Sequence, residues 1–390
     1  MPIKSSHTDS FITVPPARSE NAALDQAMLR AYPIARSLDY GCALDDVLKL
    51  HQRVDMGFGW SDVALQLADD NEYRAEKASG RGQTSVETRF LLHAAACCRL
   101  AQAGLEHDPL RRLQAYDRQA MYFETAMSDA TSTASTEAFA VDLDGVRHRA
   151  WLFRAPGLES GGPAVVVWGG ADGWCEAFHP SVFSYLERSL SVCLLELPGQ
   201  GLARLRYGSA LRANFTQLVS SVLDALIARG AGQDCLGVVG HSAGGSLALA
   251  AAGADDRIKA CCSNGGSYQL QNGLIKYPRV LQRFARMLGD AVADTDALDF
   301  LNQLDVPNAV TNMRASLLCL QGGQDVLVAD DEANRLVELR GDTEATLEYW
   351  PTGAHCLYNH SLERNSVMTD WFAAQLIGTR AQHDSPRRSL

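Results

Sequence analysis

A serine flanked by glycines is the residue most clearly suited to chemistry. The segment Gly240-His241-Ser242-Ala243-Gly244 follows a short apolar run, Cys235–Val239, and precedes small and apolar residues. A strand, a sharp Gly-x-Ser-x-Gly turn and a helix in this order expose a serine hydroxyl at the edge of a sheet. The pattern therefore predicts Ser242 as a nucleophile. The alternative interpretation is a glycine-rich strand-to-helix turn with an inert serine.

A serine hydroxyl needs a base, and that base needs an orienting acid. When a serine occupies a strand-turn-helix of this kind, the acid and then the histidine follow it along the chain. Asp325 stands just past the apolar run Leu317–Gln321 and a glycine pair, and His355 lies in the loop after the last apolar run. We therefore predict Asp325 as the acid and His355 as the base.

Two other histidines compete with His355 as the base, and Asp325 has a simpler alternative role. His360 lies close enough to His355 to compete, but Gly353 and Ala354 give His355 an uncrowded approach to the serine. A turn carboxylate or helix cap is the alternative for Asp325. His241, beside the nucleophile, is expected to point away from the site and to be packed or hydrogen-bonded.

A serine reaction also needs donors for the negative charge that develops on the substrate oxygen. The backbone N–H of Ala243 is one predicted donor, and Gly170 or Ala171 in the loop Gly169–Gly173 supplies the other. These glycines could instead form a plain turn or a phosphate loop, but their spacing fits neither a dinucleotide fingerprint nor a Walker motif. The segment Pro198-Gly199-Gln200-Gly201 adds another glycine loop at the same predicted edge.

Alternating strands and helices position these loops from about residue 135 onward. Two strands flank the Asp144-Gly145 pair as a hairpin, and later apolar strands alternate with helices, which predicts an α/β fold with a mainly parallel sheet and helices on both faces. The predicted strands are Phe139–Leu143, Val146–Phe153, Pro163–Trp168, Val192–Leu197, Cys235–Val239, Leu317–Gln321 and Leu347–Trp350. The predicted intervening helices are Val182–Ser189, Phe215–Ala228 and Asp331–Leu339.

The remaining segments complete the predicted domain organisation. Residues 1–134 form an all-helical N-terminal domain, with helices over Ala43–Val54 and Ser85–Ala101 and another opening at Asp108-Pro109. The composition changes over Thr131–Ser135, and residues 135–376 form the α/β domain. A helical lid insertion is expected at about 264–310, with helices at Tyr277–Leu288 and Asp294–Leu304, and residues 377–390 are expected to be a disordered tail.

Composition limits the partners. The 390 residues carry a net charge of −11, which argues against nucleic acid or an anionic membrane surface and favours a small organic substrate. Ten cysteines lie mostly in apolar segments and are expected to be buried free thiols, and no spacing matches a metal site, so neither metal nor cofactor is predicted. With no secretion signal or membrane span in the sequence, a cytoplasmic protein is expected.

Together these motifs resemble the α/β-hydrolases. The helical segments Tyr73–Ala78 and Thr88–Ala95 are similar to the N-terminal domain of the group that contains 2,6-dihydroxypseudooxynicotine hydrolase and the fungal hydrolases that shorten heptaketide pigment precursors. The resemblance implies hydrolysis of a carbon–carbon bond next to a ketone, with the N-terminal domain closing over the pocket. Asp172, Trp174 and Tyr122 are predicted substrate-binding residues, the two aromatic rings as walls of that pocket.

Three functions follow from these observations. The first is a serine hydrolase that cleaves a β-diketone or acyl-ketone in secondary or catabolic metabolism. The second uses the same residues on an ester, thioester or lactone, including release of a polyketide or peptide from a carrier. The third is a catalytically silent scaffold, whose signature would be loss of Ser242, Asp325 or His355, all of which are present. A carrier-bound acyl chain as substrate and a homodimer both remain open.

Overall fold

The computed structural model of the chain describes residues 16–128, 135–341 and 345–383. The chain divides into two compact units, Met1–Thr131 and Ser132–Leu390. The predicted change of character over Thr131–Ser135 falls, except for Ser135, outside the described residues.

Six helices make up the described part of the N-terminal unit. Their apolar faces pack on one another: the indole of Trp60 is fully buried, and its Nε1 donates to the carbonyl oxygen of Leu100 across 2.7 Å. The last helix begins as its sequence predicts, because the Asp108 side chain accepts from the N–H of Arg111 and proline occupies the first turn. The helices are α1 (Ala22–Ala31), α2 (Ile34–Asp39), α3 (Leu44–Asp55), α4 (Trp60–Ser79), α5 (Thr84–Gly104) and α6 (Pro109–Met127).

The C-terminal unit is built on one eight-stranded sheet with the order β1-β2-β4-β3-β5-β6-β7-β8. The strands are β1 (Ser135–Leu143), β2 (Val146–Arg154), β3 (Ala164–Trp168), β4 (Ser191–Leu195), β5 (Leu236–His241), β6 (Ile258–Asn264), β7 (Ser316–Gly322) and β8 (Ala345–Trp350). The β1–β2 and β2–β4 pairs are antiparallel and all others are parallel. The predicted fold class is confirmed.

The hairpin forms where the Asp144-Gly145 pair predicted it. Leu143 pairs with Val146, and both turn residues have positive φ, which suits glycine and is tolerated by aspartate. Strand β6 was not predicted. Its sequence, Ile-Lys-Ala-Cys-Cys-Ser-Asn, holds one β-branched residue, so the local pattern gives little sign of a strand, yet it lies in the middle of the sheet between β5 and β7.

Helices cover both faces of the sheet. On one face of the sheet, Val166 and Trp168 of β3 join an apolar cluster with Phe215 and Leu247. On the other face, Phe372 from the C-terminal helix packs against Gly237 of β5. The helices between strands are α7 (Val182–Leu186), α8 (Gly201–Tyr207), α9 (Phe215–Ala228), α10 (Ala243–Ala254) and α15 (Asp330–Arg340), and α16 (Ser361–His383) follows the last strand. Three 3₁₀ segments lie at Leu158–Ser160, Cys175–Ser181 and His355–His360.

Four helices fill the interval between β6 and β7, where the sequence predicts an insertion. They are α11 (Leu270–Lys276), α12 (Pro278–Leu288), α13 (Asp294–Gln303) and α14 (Val306–Asn312). The end of α12 meets the loop after α8, because Leu211 N donates to Met287 O across 2.7 Å and Arg212 donates to Leu288 O across 2.5 Å. Gly199 allows this approach: it has φ +82°, and a Cβ there would lie 2.4 Å from Met287 O.

The C-terminal end differs from its prediction. Helix α16 continues through His383, although residues 377–390 were expected to be a disordered tail. Phe372 and Leu376 anchor the helix by burial, and the chain beyond them meets no proline before Pro386. Residues 384–390 lie outside the described chain.

Candidate active site

Ser242 sits on a strained turn between β5 and α10. Its φ of 60° and ψ of −134° place a residue with a side chain in a sparsely populated backbone region. The turn is so tight that a Cβ on Gly240 would lie 1.8 Å from the carbonyl oxygen of Gly244, so only glycine fits there. The turn is also tied to the next strand, because Ser242 N donates to Asn264 O across 2.8 Å.

The three predicted catalytic side chains form one hydrogen-bonded row. His355 Nε2 lies 2.8 Å from Ser242 Oγ, and His355 Nδ1 lies 2.8 Å from Asp325 Oδ2. With the imidazole neutral and its proton on Nδ1, the ring donates to the carboxylate, and Nε2 accepts the serine hydroxyl proton. The sequence placed these residues 83 and 30 positions apart, and the structure brings them into contact.

Asp325 is held rigidly in the loop after β7. Its Oδ1 accepts from the backbone N–H groups of Leu327 at 2.8 Å and Val328 at 3.1 Å, which leaves Oδ2 for His355. The carboxylate is fully buried, so water does not compete for these contacts. The carboxylate can therefore fix both the orientation of the imidazole and the nitrogen that carries its proton.

The surroundings of His355 favour its charged form. Burial disfavours an imidazolium, but the adjacent Cys356 and the hydrogen-bonded carboxylate of Asp325 raise the pKa of His355 well above its ordinary value. A histidine with a raised pKa is a stronger proton acceptor once deprotonated, which suits a base that must accept a proton from a serine hydroxyl.

The loop after β3 packs onto the first turn of α10, next to the serine. A Cβ on Gly170 would lie 2.9 Å from the backbone nitrogen of Ala243, and a Cβ on Gly244 would lie 2.6 Å from Gly169 O. Trp168 stabilises the same turn, because its Nε1 donates to Gly244 O across 3.0 Å. The predicted oxyanion donors Ala243, Gly170 and Ala171 thus belong to two backbone segments in direct contact.

Known proteins are similar to this chain over most of its length. The chain is 25% identical over 319 residues to 2,6-dihydropseudooxynicotine hydrolase of Paenarthrobacter nicotinovorans, covering 82% of this chain and 85% of the relative. It superimposes on the crystal structure of 2,6-dihydroxy-pseudo-oxynicotine hydrolase with a TM-score of 0.79 and 23% identity, covering 88% of this chain and 96% of the other. The chain has the α/β-hydrolase fold.

Two further relatives extend the comparison. AbyA5 superimposes with a TM-score of 0.64 at 17% identity, over 84% of this chain and 92% of its own. Hydrolase acrC of Aspergillus aculeatus is 35% identical over 116 residues, a match that spans 28% of this chain and 26% of the relative. No protein-family model matches the chain. The predicted resemblance to the group of 2,6-dihydroxypseudooxynicotine hydrolase is confirmed.

The histidine loop is held by residues that the sequence did not single out. Cys356 and Leu357 both have positive φ, 52° and 58°, which is unfavourable for residues with side chains. The carbonyl oxygen of Cys356 accepts from Arg364 Nη1 at 3.0 Å and from Asn264 Nδ2 at 3.1 Å. No sequence signal marks Arg364, and Asn264 ends the strand that the sequence did not reveal.

Asn264 also connects the loop to the nucleophile turn. Its backbone oxygen accepts from Ser242 N, and its Nδ2 donates to His241 Nδ1 across 2.8 Å. His241 stacks on Phe178 with ring centroids 4.5 Å apart, and burial, together with the charge of Arg364, lowers the pKa of His241 well below its ordinary value. His241 is therefore neutral, packed and hydrogen-bonded, as the sequence predicted, and it is not part of the Ser–His–Asp row.

The competing histidine lies outside that row too. His360 contacts Thr352 through Nε2 and Glu363 through Nδ1, at 3.0 Å each. All ten cysteines are free and buried, as expected. Across the described ranges, no three acidic, histidine or cysteine side chains come together in a way that could hold a metal ion, and no helix there is long and apolar enough to cross a membrane.

The three predicted substrate-binding residues occupy different surroundings. Asp172 pairs with Arg283 of α12 across 3.1 Å, so the oxyanion loop is linked to the inserted helices. Trp174 is buried and donates from Nε1 to Ala171 O across 3.3 Å. Tyr122 is buried in the N-terminal unit, where its hydroxyl accepts from Arg118 across 2.9 Å. Substrate contact by these residues stays a prediction.

Proposed function

We propose that the chain is a serine hydrolase in which Ser242 is the nucleophile, His355 the general base and Asp325 the acid that orients it. The observation that carries this proposal is the unbroken row from Asp325 Oδ2 through both imidazole nitrogens to Ser242 Oγ, with two contacts of 2.8 Å. The positive φ of Ser242 supports the same role, because strain of this kind persists where it serves a function.

The reaction follows from this geometry in two stages. His355 Nε2 takes the proton of Ser242 as Oγ bonds to a substrate carbonyl carbon, and the resulting oxyanion rests on the N–H of Ala243 and those of the Gly170–Ala171 segment. When the adduct collapses, the bond to the leaving carbon breaks, its electron pair forms an enolate, and the imidazolium returns the proton to that carbon. Water then adds to the acyl group, giving one proton to His355, which passes it to Ser242 as the acid departs.

The proposed substrate is a β-diketone or acyl-ketone of small-molecule metabolism. Expulsion of carbon is feasible only where the leaving carbanion is stabilised, and a neighbouring ketone does this by forming an enolate. Similarity over 82% of the chain to a relative named 2,6-dihydropseudooxynicotine hydrolase supports hydrolysis of a small organic molecule. An ester, thioester or lactone, free or bound to a carrier, would use the same first stage with an easier leaving group.

A diketone with a blocked central carbon tests the proposal. The compound 2,2-dimethyl-1-phenylbutane-1,3-dione has no central proton to exchange with solvent, so enzymatic cleavage in deuterated water should give a carboxylic acid and a ketone with one deuterium on the released carbon. Ser242→Ala is the matched control and should give neither product. Efficient hydrolysis of simple esters or thioesters, with a panel of β-diketones left intact, would replace carbon–carbon cleavage by the ester alternative.

Labelling by a fluorophosphonate separates an enzyme from a silent scaffold before any substrate is known. The probe reacts with an activated serine, so the proposal predicts a single labelled peptide containing Ser242. Labelling at another serine, or no labelling at all, would contradict the assignment of the nucleophile.

A further inference from the structure

Gln200 lies behind the oxyanion loop, in a position that the proposed reaction does not use directly. It follows β4 at the start of α8, and its side chain is fully buried. Its amide bonds to backbone groups: Oε1 accepts from Leu197 N at 3.2 Å, and Nε2 donates to Gly169 O and to Gly170 O, each at 2.8 Å. One side chain thus holds two successive carbonyl groups of the loop.

This contact fixes the direction of the two N–H groups on the far side of the same peptides. In a trans peptide the C=O and N–H bonds point in opposite directions. The peptide that carries Gly169 O also carries the N–H of Gly170, and the peptide that carries Gly170 O carries the N–H of Ala171. By drawing both oxygens to itself, Gln200 turns both N–H groups away from itself.

The resulting arrangement differs from that of a strand, in which successive carbonyl groups point to opposite sides. Here two consecutive carbonyl oxygens meet one nitrogen, so two consecutive N–H groups face the same way, an arrangement that makes an anion-binding concavity. The loop lies against the helix end that carries the third donor, because a Cβ on Gly170 would be 2.9 Å from Ala243 N.

We propose that Gln200 is a positioning residue for the oxyanion hole, which it sets by holding the carbonyl groups of Gly169 and Gly170 so that the N–H groups of Gly170 and Ala171 face the oxyanion formed on Ser242. The inference rests on the proposed function, since it concerns the same serine chemistry. It also specifies the donors of the loop: the N–H groups of Gly170 and Ala171 both donate to the oxyanion. Gln200 itself touches neither the substrate nor the reacting atoms.

The test compares fluorophosphonate labelling rates of Ser242 in the full-length protein. Gln200→Met keeps the volume but removes both donors, and Gln200→Glu keeps the volume and the acceptor for Leu197 N while placing oxygen against the two carbonyl groups. Loss of one oxyanion donor costs about 100- to 1000-fold in rate, and disorder of the loop should cost about 10- to 100-fold. We expect a loss of that size in whichever variant remains folded.

Ser191→Ala is the matched control. Ser191 is also fully buried and accepts a backbone N–H, from Ala155 at 3.0 Å, but it lies at the opposite end of β4. If Gln200 had a purely structural role, its variants should behave like the control, with a lower melting temperature and an unchanged labelling rate. The labelling rate should rise with pH to a plateau. In the Gln200 variants the midpoint of that rise should stay at the wild-type value, because His355 and Asp325 are unchanged, while the plateau rate falls.

The outcomes separate the two proposals. A wild-type protein that labels at Ser242, with folded Gln200 variants that label at the wild-type plateau, would overturn the role of Gln200 alone. A shifted midpoint with an unchanged plateau would also overturn it, since the change would then lie in the base. If the wild type itself is not labelled at Ser242, the serine mechanism fails and the inference falls with it.

Discussion

The guanidinium of Arg364 donates from Nη1 to the carbonyl oxygen of Cys356 across 3.0 Å, within the interior of the C-terminal unit. Cys356 directly follows His355 and has φ +52°, a conformation that costs on the order of 1 kcal/mol for a residue with a side chain. A backbone held in this way depends on its partners. We therefore expect Arg364 to keep the imidazole aligned between Asp325 and Ser242 by holding the backbone of Cys356.

Replacing Arg364 should slow the serine chemistry and destabilise the fold. In Arg364→Met, the hydrogen bond to Cys356 is lost, the turn after His355 relaxes, and we expect a labelling rate about 10- to 100-fold lower, as for other small misplacements of a catalytic group. The free energy of unfolding should fall by about 2–4 kcal/mol, since hydrogen bonds of a buried charged group are lost. The labelling rate is measured on gels from reactions quenched at set times, and the free energy of unfolding is measured by urea denaturation.

Arg188→Met serves as the control for the Arg364 variant. Arg188 also ties to helix α16, through Asp370 at 2.5 Å, but that partner is largely exposed and lies six residues beyond Arg364 along the helix. We expect a small stability loss, up to about 1 kcal/mol, and an unchanged labelling rate. Equal rates in Arg364→Met and the wild type would show that the turn holds its shape without Arg364.

Ser242→Ala should remove all labelling and turnover while leaving the fold intact. The hydroxyl group bonds to His355, and its loss creates no core cavity, so the free energy of unfolding should change by less than about 1 kcal/mol. Ser246→Ala provides the contrast. Ser246 lies buried in helix α10, which follows Ser242, and donates to Ser267 O across 2.9 Å, so that variant should lose stability yet still be labelled at Ser242.

The hydrogen-bonded row of Ser242, His355 and Asp325 was predictable from the sequence because it follows from local pattern and chain order. The Gly-x-Ser-x-Gly turn requires glycine at Gly240 and Gly244 for close backbone approach, and this requirement appears directly as a motif. Asp325 and His355 follow strands that are apolar enough to recognise. Their positions just beyond strand ends place them at the same edge of a parallel sheet, and the structure brings them together there.

The supporting residues could not be predicted in this way, because their roles depend on which segments become neighbours in space. Asn264 bridges the serine turn and the histidine loop only because β6 lies between β5 and β7, and the sequence of β6 did not indicate a strand. Gln200 and Arg364 act on backbone carbonyl groups, which any sequence possesses. A buried amide or guanidinium that bonds to backbone leaves no recognisable spacing between residue types.

Glu196 should make stability depend on pH in mildly acidic solution. Burial and the neighbouring Glu176 raise the pKa of Glu196 from 4.5 to about 7, against the pull of the Ala203 and Leu202 N–H groups. Between these values the folded protein keeps a proton that the unfolded chain has lost, so stability falls as pH rises through this window. At about 1.4 kcal/mol per pKa unit, the loss totals roughly 3 kcal/mol.

Glu196→Gln should remove this dependence, because an amide does not titrate. Urea unfolding of both proteins at several pH values between 4.5 and 8 should show the variant gaining stability relative to the wild type as pH rises. The altered contacts with Ala203 and Leu202 add an offset that is the same at every pH. Exposed Glu159, changed to Gln, is the control and should track the wild type. A constant difference between Glu196→Gln and the wild type would mean that Glu196 ionises alike in both states.

Asp325→Asn tests the origin of the basicity of His355. Oδ1 of residue 325 faces the N–H groups of Leu327 and Val328, so an asparagine must keep its oxygen there and turn its NH₂ group toward His355 Nδ1. Nδ1 then has to accept, the ring proton moves to Nε2, and Nε2 can no longer take the serine proton. We expect a rate loss of about four orders of magnitude with the fold retained.

The pH profile of fluorophosphonate labelling is a second, independent test of the effect of Asp325 on His355. Only the deprotonated imidazole can act as base, and the pKa of His355 is raised, so wild-type labelling should increase with pH through a midpoint above 6.5, the ordinary histidine value. Removing the carboxylate charge lowers that pKa, and the residual labelling of Asp325→Asn should show its midpoint at lower pH. An unchanged midpoint, or a variant with near-normal rate, would assign the orienting role to another carboxylate.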